Sequence, residues 1–431
     1  MKGNYKHIAF LCGHFKREKA FNADHLERSG WLRGNKSKEE CDVSKRYYYP
    51  EFIDFCHSSS IDDGCVRYTR SVGKGVVITV DVRGNSCKFP FMVKDVTLYL
   101  MPHNMVLYSV RVEQDAANLD DCSSLLYALR YIDAFRTEPY NDFYQVAIQP
   151  IVQVYDALKY HSLQDTTQLV ENGNKLRVFQ VINASSCSME SLSDEEKRRL
   201  LYKLATFSSI TEKAIDTPSE NWQTTNIKCY VAVFESWTAL SMLDSFTILA
   251  VDCESQTDNW LDNYFGQIYI QALFQKVCLF DFNNHFKQAL KVQGDRSNSK
   301  HVTGLVKAFE GFERNCCFNR ISYNFLPQLI SDAISCSLEI NDEMRQLYHV
   351  MAKERTRNEE ASRKKMNSLL LAISFLTLFS AIWDACSMFN EMMSFKSHFG
   401  STFWGFRIVG LIIAFIVVGV LVYLYKRKRG Y

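Results

Sequence analysis

LLLAISFLTLFSAIW, Leu369 to Trp383, and IVGLIIAFIVVGVLVYLY, Ile408 to Tyr425, are the stretches on which the reading of this 431-residue chain turns. Neither carries a charged side chain, and each approaches or reaches the roughly 20 residues that cross the hydrocarbon core of a bilayer. The competing reading is an apolar hairpin buried in a soluble domain. The second run argues against it, being apolar on every face and ending in a basic cluster. Whole-chain averages hide the pair, because 23% charged residues, a mean hydropathy of -0.17 and a net charge of +2 describe an ordinary soluble protein.

Orientation follows from the flanking charges. Arg363, Lys364 and Lys365 precede the first run, and Lys426, Arg427, Lys428 and Arg429 follow the second, so both chain ends are expected in the cytoplasm. The connection between the runs then lies on the far side, offering Glu391, Lys396 and His398, with Phe403 and Trp404 where an interfacial aromatic belt belongs. The N-terminal MKGNYKHIAFLCGHFKREK has only a four-residue apolar run before more charge, so no secretory signal is expected. The 14 cysteines are scattered without a CxxC pair, as expected for reduced thiols in the cytosol. Cys12, His14, His25, Cys41, Cys56, His57 and Cys65 crowd the N-terminus, but their spacings match no zinc knuckle, and isolated buried thiols with surface histidines are the favoured reading.

Before the spans, strand and helix signals alternate, which predicts an α/β or α+β region. Val76 to Val82 alternates and is rich in β-branched residues; Val96 to Leu100 and Val106 to Val112, joined across Pro102-His103-Asn104, read as a hairpin. Leu176 to Ile182, Cys229 to Phe234 and Phe246 to Val251 are further strands. Ser193 with Glu196 forms a capping box ahead of a helix over Lys197 to Phe207. From Asp258 the pattern is helical, with Leu261, Tyr264, Phe265, Ile268 and Ala272 on one stripe, a polar break at Gly294 to His301, and a further helix around Leu305 to Phe312. Pro327 suits the first turn of a helix, after which no proline or glycine occurs until Gly400. An unbroken helix from there into the first span would be a rod of roughly 90 Å, from about 60 residues at 1.5 Å each. The expected organisation is a cytosolic domain over 1–325, a stalk helix over 326–366, transmembrane helix 1 over 367–389, a periplasmic loop over 390–402, transmembrane helix 2 over 403–425 and a basic tail over 426–431.

At a spacing of about 3.5 residues, Asn367, Leu371, Ser374, Thr377, Ala381, Asp384, Met388 and Glu391 share one face of the first span. Hydroxyls ending in a carboxylate suit a cation path, since oxygens replace part of the hydration shell and negative charge gathers cations at the mouth. Asp384 is the first candidate metal-contacting residue, because a carboxylate at the edge of a span belongs toward a cavity or water. The alternative is that Ser374, Thr377 and Ser380 bond to carbonyls one turn back while Asp384 sits among headgroups. Arg363, Lys364, Lys365 and Lys426 to Arg429 read first as topology anchors and second as a basic ring at the inner mouth. Glu339, Asp342, Glu343, Glu354, Glu359 and Glu360 read as a solvated face of the stalk, or as a regulatory site for divalent cations between subunits. Gly73-Lys74-Gly75 precedes a strand and is read as a turn, not a phosphate loop, and Asn183-Ala184-Ser185 is a sequon on the wrong side of the membrane. No soluble enzyme motif stands out, so the chain is not read as an enzyme.

This layout resembles the CorA family of divalent-cation transporters: cytosolic α/β domain, stalk helix continuous with the first span, short outer loop, second span, basic tail. The resemblance is architectural along the whole chain and residue-level from about Asp258 onward. It implies a homopentamer in a bacterial inner membrane, a pore lined by the first spans, and a divalent cation such as magnesium as the transported or regulatory ion, with no other cofactor. The family's Gly-Met-Asn signature is absent; the local sequence is Asp384-Ala385-Cys386-Ser387-Met388-Phe389-Asn390-Glu391, so no filter role passes to Asn390. The chain also looks like the divergent CorA-like proteins beside type III CRISPR systems, which implies the alternative of an antiviral membrane effector gated by a nucleotide messenger. Implied partners are further copies of the chain, lipid and a small nucleotide on the cytosolic domain, with no nucleic acid. A non-conducting membrane scaffold is the third reading.

Overall fold

Elements follow one another as β1 (Lys2–Lys16), α1 (Ala23–Arg28), β2 (Leu32–Arg33), α2 (Lys38–Ser44), α3 (Pro50–Cys56), β3 (Val66–Val82), β4 (Asn85–Leu100), β5 (Met105–Asn118), α4 (Leu119–Leu129), α5 (Gln149–Leu158), β6 (Arg177–Ala184), α6 (Asp194–Thr206), β7 (Tyr230–Val231), β8 (Trp237–Ser241), β9 (Ser245–Val251), α7 (Glu254–Asn259), a π-helical stretch Trp260–Tyr269, α8 (Ile270–Lys291), α9 (Arg296–Cys316), α10 (Phe325–Ser337) and α11 (Ile340–Ser394). This is a computed structural model, and it describes residues 2–82, 84–171, 173–185, 192–210, 219, 227–291 and 296–394. The second apolar run, the far-side loop and the basic tail, with Lys426, Arg427, Lys428 and Arg429, lie outside the described residues. The chain divides into two compact units, with the boundary between Tyr348 and His349.

The first unit is mixed α/β. Its nine strands form one sheet in the order β2-β3-β4-β5-β1-β6-β9-β8-β7. Neighbours are antiparallel except β6 and β9, which run parallel. The expected hairpin is β4–β5, with Leu100 opposite Val106. His103 and Asn104 both have positive φ, 56° and 61°, and Met105 N–H donates to Pro102 O, the mirror-image turn whose twist matches a hairpin. The predicted strand at Val76 to Val82 is the end of the 17-residue β3. Gly73-Lys74-Gly75 is not a turn before that strand. The register shifts between Ser71 and Lys74, and Gly73 has φ +60°, so it is a bulge inside the strand, at a conformation glycine adopts without a Cβ penalty. Of Cys229 to Phe234 only Tyr230–Val231 is strand.

The two sheet faces differ in chemistry. On one, Leu11, Phe15, Tyr68, Leu98 and Val110 pack with Leu125, Leu129, Ile151 and Tyr155 from α4 and α5 in a hydrophobic core. Toward the β6–β9 end a second cluster joins Ile182, Leu240 and Leu249 to Leu201 and Leu204 of α6. The capping box that starts α6 is present, Glu196 N–H donating to Ser193 Oγ at 3.3 Å and Ser193 N–H to Glu196 Oε2 at 2.9 Å. On the opposite face the π-helical stretch lies against the central strands: Phe265 stacks on Phe10 with centroids 3.7 Å apart, and Tyr269 meets Phe179 edge-on.

The helical C-terminal part differs from the sequence reading at two places. Gly294 to His301 is not wholly a break, since α9 begins at Arg296. Nor does one helix run from Pro327 onward. Pro327 is in the first turn of α10 as expected, but α10 stops at Ser337, Glu339 takes a left-handed conformation (φ 55°), and α11 begins at Ile340. A non-glycine residue there costs roughly 1–2 kcal/mol. The flanking Leu338 and Ile340 are both buried, and each such side chain contributes about 1.5–3 kcal/mol on burial. Tertiary packing outweighs the helical run of the sequence.

Candidate functional site

α11 runs 55 residues to Ser394. Its stretch Arg363–Met388, 26 residues, is the one described helix long and apolar enough to cross a membrane, and none of its most apolar window is buried within the chain. Leu369, Leu370, Leu371, Ile373, Leu376, Leu378, Phe379 and Trp383 are all exposed. Every residue of the predicted pore face from Asn367 through Leu371, Ser374, Thr377, Ala381, Asp384 and Met388 lies on this helix and is exposed. Glu391 is also helical, with its side chain outside the described residues. Asp384 is the lone charge between Met366 and Met388. Arg363, Lys364 and Lys365 stand exposed ahead of the apolar part.

The two readings of the hydroxyls turn out to be compatible. Ser374 Oγ donates to Leu370 O at 2.8 Å, and Thr377 Oγ1 lies 3.1 Å from Ile373 O and 3.0 Å from Ser374 O. Back-bonding uses the hydroxyl hydrogen and leaves the oxygen lone pairs free to accept. Such oxygens can face a neighbouring helix or a cation alike.

The acidic positions ahead of this stretch separate. Glu343 is no part of a solvated face: its Oε1 accepts from Lys276 Nζ at 2.6 Å in a largely buried ion pair that joins α11 to α8. Asp342 pairs with Arg345 at the surface. Glu313 of α9 accepts from the Tyr348 hydroxyl. The N-terminal Cys/His group is likewise spread, Cys12 and His14 on β1, His25 on α1, Cys41 on α2, Cys56 on α3, and His57 and Cys65 in the following loop. No three His, Cys, Asp or Glu side chains converge as a metal site among the described residues.

Sequence reasoning missed a polar layer between the sheet and the π-helical stretch. Alternate residues of three adjacent strands face it: Arg67 and Thr69 on β3, Asp95, Thr97 and Tyr99 on β4, and Ser109 and Arg111 on β5. Thr69 Oγ1 is 3.1 Å from Thr97 Oγ1, which donates on to Asp95 Oδ1 at 3.4 Å; Arg111 pairs with Glu113 at 2.6 Å. Burial raises the Asp95 carboxyl pKa, with Arg111 opposing. Arg67 Nη2 donates to Gly266 O at 2.7 Å and its guanidinium lies over the Tyr99 ring, yet it has no ion pair among the described residues. His57 Nε2 is 3.4 Å from Gln267 Nε2, and burial, then Arg67 and Lys36, push the imidazole down to about 3. Arg67 Nε, His57 Nδ1 and the Oε1 of Gln267, itself 1% exposed, meet no protein partner. Buried polar atoms of this kind call for a water or a polar ligand group. In the sequence these alternating polar residues mimic a solvent-facing strand side; only a helix packed over them makes them a site. A ten-residue π-helical stretch, Trp260–Tyr269, is itself unusual and accompanies functional sites.

Comparison of the chain with protein-family models, with curated proteins and with solved structures gives no match.

Proposed function

We propose that this chain is a CorA-like membrane channel or transporter that passes cations, divalent ions such as magnesium among them, through a homopentameric pore in a bacterial inner membrane, gated through its cytosolic unit. The carrying observation is the stretch Arg363–Met388, apolar and with none of its most apolar window buried among the described residues. Exposure of that many contiguous apolar residues is stable against lipid or against copies of the same helix, not against water. A polar row of hydroxyls with Asp384 at one end and three basic residues at the other supports a pore-lining role over a plain anchor. Purified full-length protein in liposomes with a trapped divalent-sensitive dye should pass magnesium or a related cation, and native mass spectrometry should find five copies. A monomer or dimer that passes no cation would favour the scaffold reading.

The second reading makes the same molecule a ligand-gated effector that responds to a nucleotide messenger. It is supported by Arg67, a partly buried cation whose guanidinium bonds to Gly266 O and lies over the Tyr99 ring without an ion pair among the described residues. Calorimetry of adenylate-type messengers against the full chain, and against Arg67→Ala, tests it: binding lost in the variant favours it, and no binding to either removes it.

A further inference from the structure

The thiols of this chain read as isolated in the sequence, but Cys229 and Cys336 are neighbours. Cys229 closes the 3-10 turn Ile227–Cys229 that leads into β7 and is 4% exposed. Cys336 is the penultimate residue of α10 and open to solvent. The Ile227–Cys229 turn packs directly against α10, which brings Cys336 close enough to act on the Cys229 thiol. A separate contact fixes this apposition: the next residue, Ser337, has its Oγ 2.5 Å from Ser241 Oγ on β8, and β8 pairs with β7 through Leu240 and Tyr230. Ile330, Ala333, Ile334 and Leu338 are all fully buried and set the rotation of α10. Neither residue belongs to the apolar helix or the polar layer described above.

We propose that Cys229 and Cys336 form a reversible dithiol–disulfide pair, a redox-sensitive latch between the β7 edge of the sheet and the last turn of α10. The oxidant is a low-molecular-weight disulfide. The exposed Cys336 attacks it as thiolate, forming a mixed disulfide and releasing one small thiol; Cys229 then gives its proton to solvent, attacks the Cys336 sulfur and releases the second. Two protein thiols are oxidised by two electrons and one small disulfide is reduced to two thiols. Burial, reinforced by Cys336, pushes the Cys229 thiol up to about 12, which suits the resolving partner and not the initiating one. Cys278 and Cys316 lie near each other too, but both are buried, so no oxidant reaches them. A closed latch fixes α10 three residues before Glu339, the left-handed residue between α10 and α11. The proposal does not depend on the channel reading.

The test uses the full chain in detergent, incubated with oxidised glutathione, alkylated and mapped without reduction. A peptide pair joined through Cys229 and Cys336 is expected, lighter by two hydrogens than the separate thiols and released by dithiothreitol. Oxidation should also raise Tm by about 3 °C, because the cross-link closes a long loop in the unfolded chain. Cys336→Ser, at an exposed position, should leave the reduced Tm unchanged and abolish both effects; Cys229→Ser should leave Cys336 as a mixed disulfide with glutathione. Finding Cys336 in wild type only as that mixed disulfide, or the same Tm rise in Cys336→Ser, would overturn the proposal.

Discussion

A methyl group added at Gly64 meets the carbonyl oxygen and Cα of Phe55, backbone atoms that no side-chain rotation moves aside. Gly64→Ala should therefore cost about 2 kcal/mol, the scale of overpacking, read as a lower urea midpoint at constant m value. Gly73→Ala meets nothing within 4 Å, and its penalty is purely the φ of +60°, about 1 kcal/mol. At Asp384 the question is chemical. It is the lone charge among the residues from Met366 to Met388, so Asp384→Asn removes the carboxylate while keeping shape and helix. If cations gather there, divalent flux into liposomes should fall about tenfold with unchanged circular dichroism. Equal flux would make Asp384 a headgroup residue.

Among elements, α11 is held to the rest of the first unit where it begins. Lys276 and Glu343 are both largely buried, at 8% and 20% side-chain exposure, and 2.6 Å apart. Lys276→Ala would leave the Glu343 carboxylate without its partner, a loss of about 3 kcal/mol, while the double replacement Lys276→Met with Glu343→Leu should recover most of it. Chemical denaturation of the three proteins separates these outcomes. How far each element was legible in the sequence follows from what covers it. The β4–β5 hairpin and β9 were readable because β-branched runs end at local turn chemistry, and α6 because Ser193 and Glu196 cap it within four residues. β1 was not, although it is central: paired on both sides and covered on both faces, it mixes His7, Cys12, Gly13 and His14 into its apolar residues and shows no clean alternation. The stop at Ser337 was hidden too, since Glu339 carries no breaker signal and only the burial of Leu338 and Ile340 enforces the turn. The apolar face of α11 was fully readable because it depends on composition alone, whereas the polar layer needs Gly266 and Gln267 brought over Arg67, 199 residues before Gly266 in the chain. The adjacency of Cys229 and Cys336 needs the same.

For the molecule as a whole, imidazoles that burial holds neutral set an acid limit on stability, His7, His14 and His57 most strongly and His103 in the same direction. His7 is buried with its Nε2 3.1 Å from Gln180 Oε1, and burial lowers its pKa from 6.5 to about 4. His14, by burial and then Arg177, and His57, by burial and then Arg67, are lowered to about 3. Each folded pKa lies below the unfolded value of 6.5, so as pH falls through 6.5 the unfolded chain takes up protons that the folded chain refuses. Stability is then lost with falling pH, by at most about 1.4 kcal/mol per pH unit for each histidine, and the loss levels off only near pH 3–4, where the folded imidazoles charge. Carboxylates do not account for the upper part of that window. Glu196, lowered by its bonds from Ser193, has an unfolded value of 4.5, so its own loss begins below that. Asp95, raised by burial, acts in the opposite sense. Urea unfolding of the full chain in detergent, followed through the buried Trp31, Trp237 and Trp260, should give a free energy that declines between pH 6.5 and 4.5. His7→Asn should remove about a quarter to a third of that slope, His14, His57 and His103 carrying the rest. A flat profile in wild type over this window, or an unchanged slope in the variant, would mean that these imidazoles take up protons in the folded state as readily as in the unfolded chain.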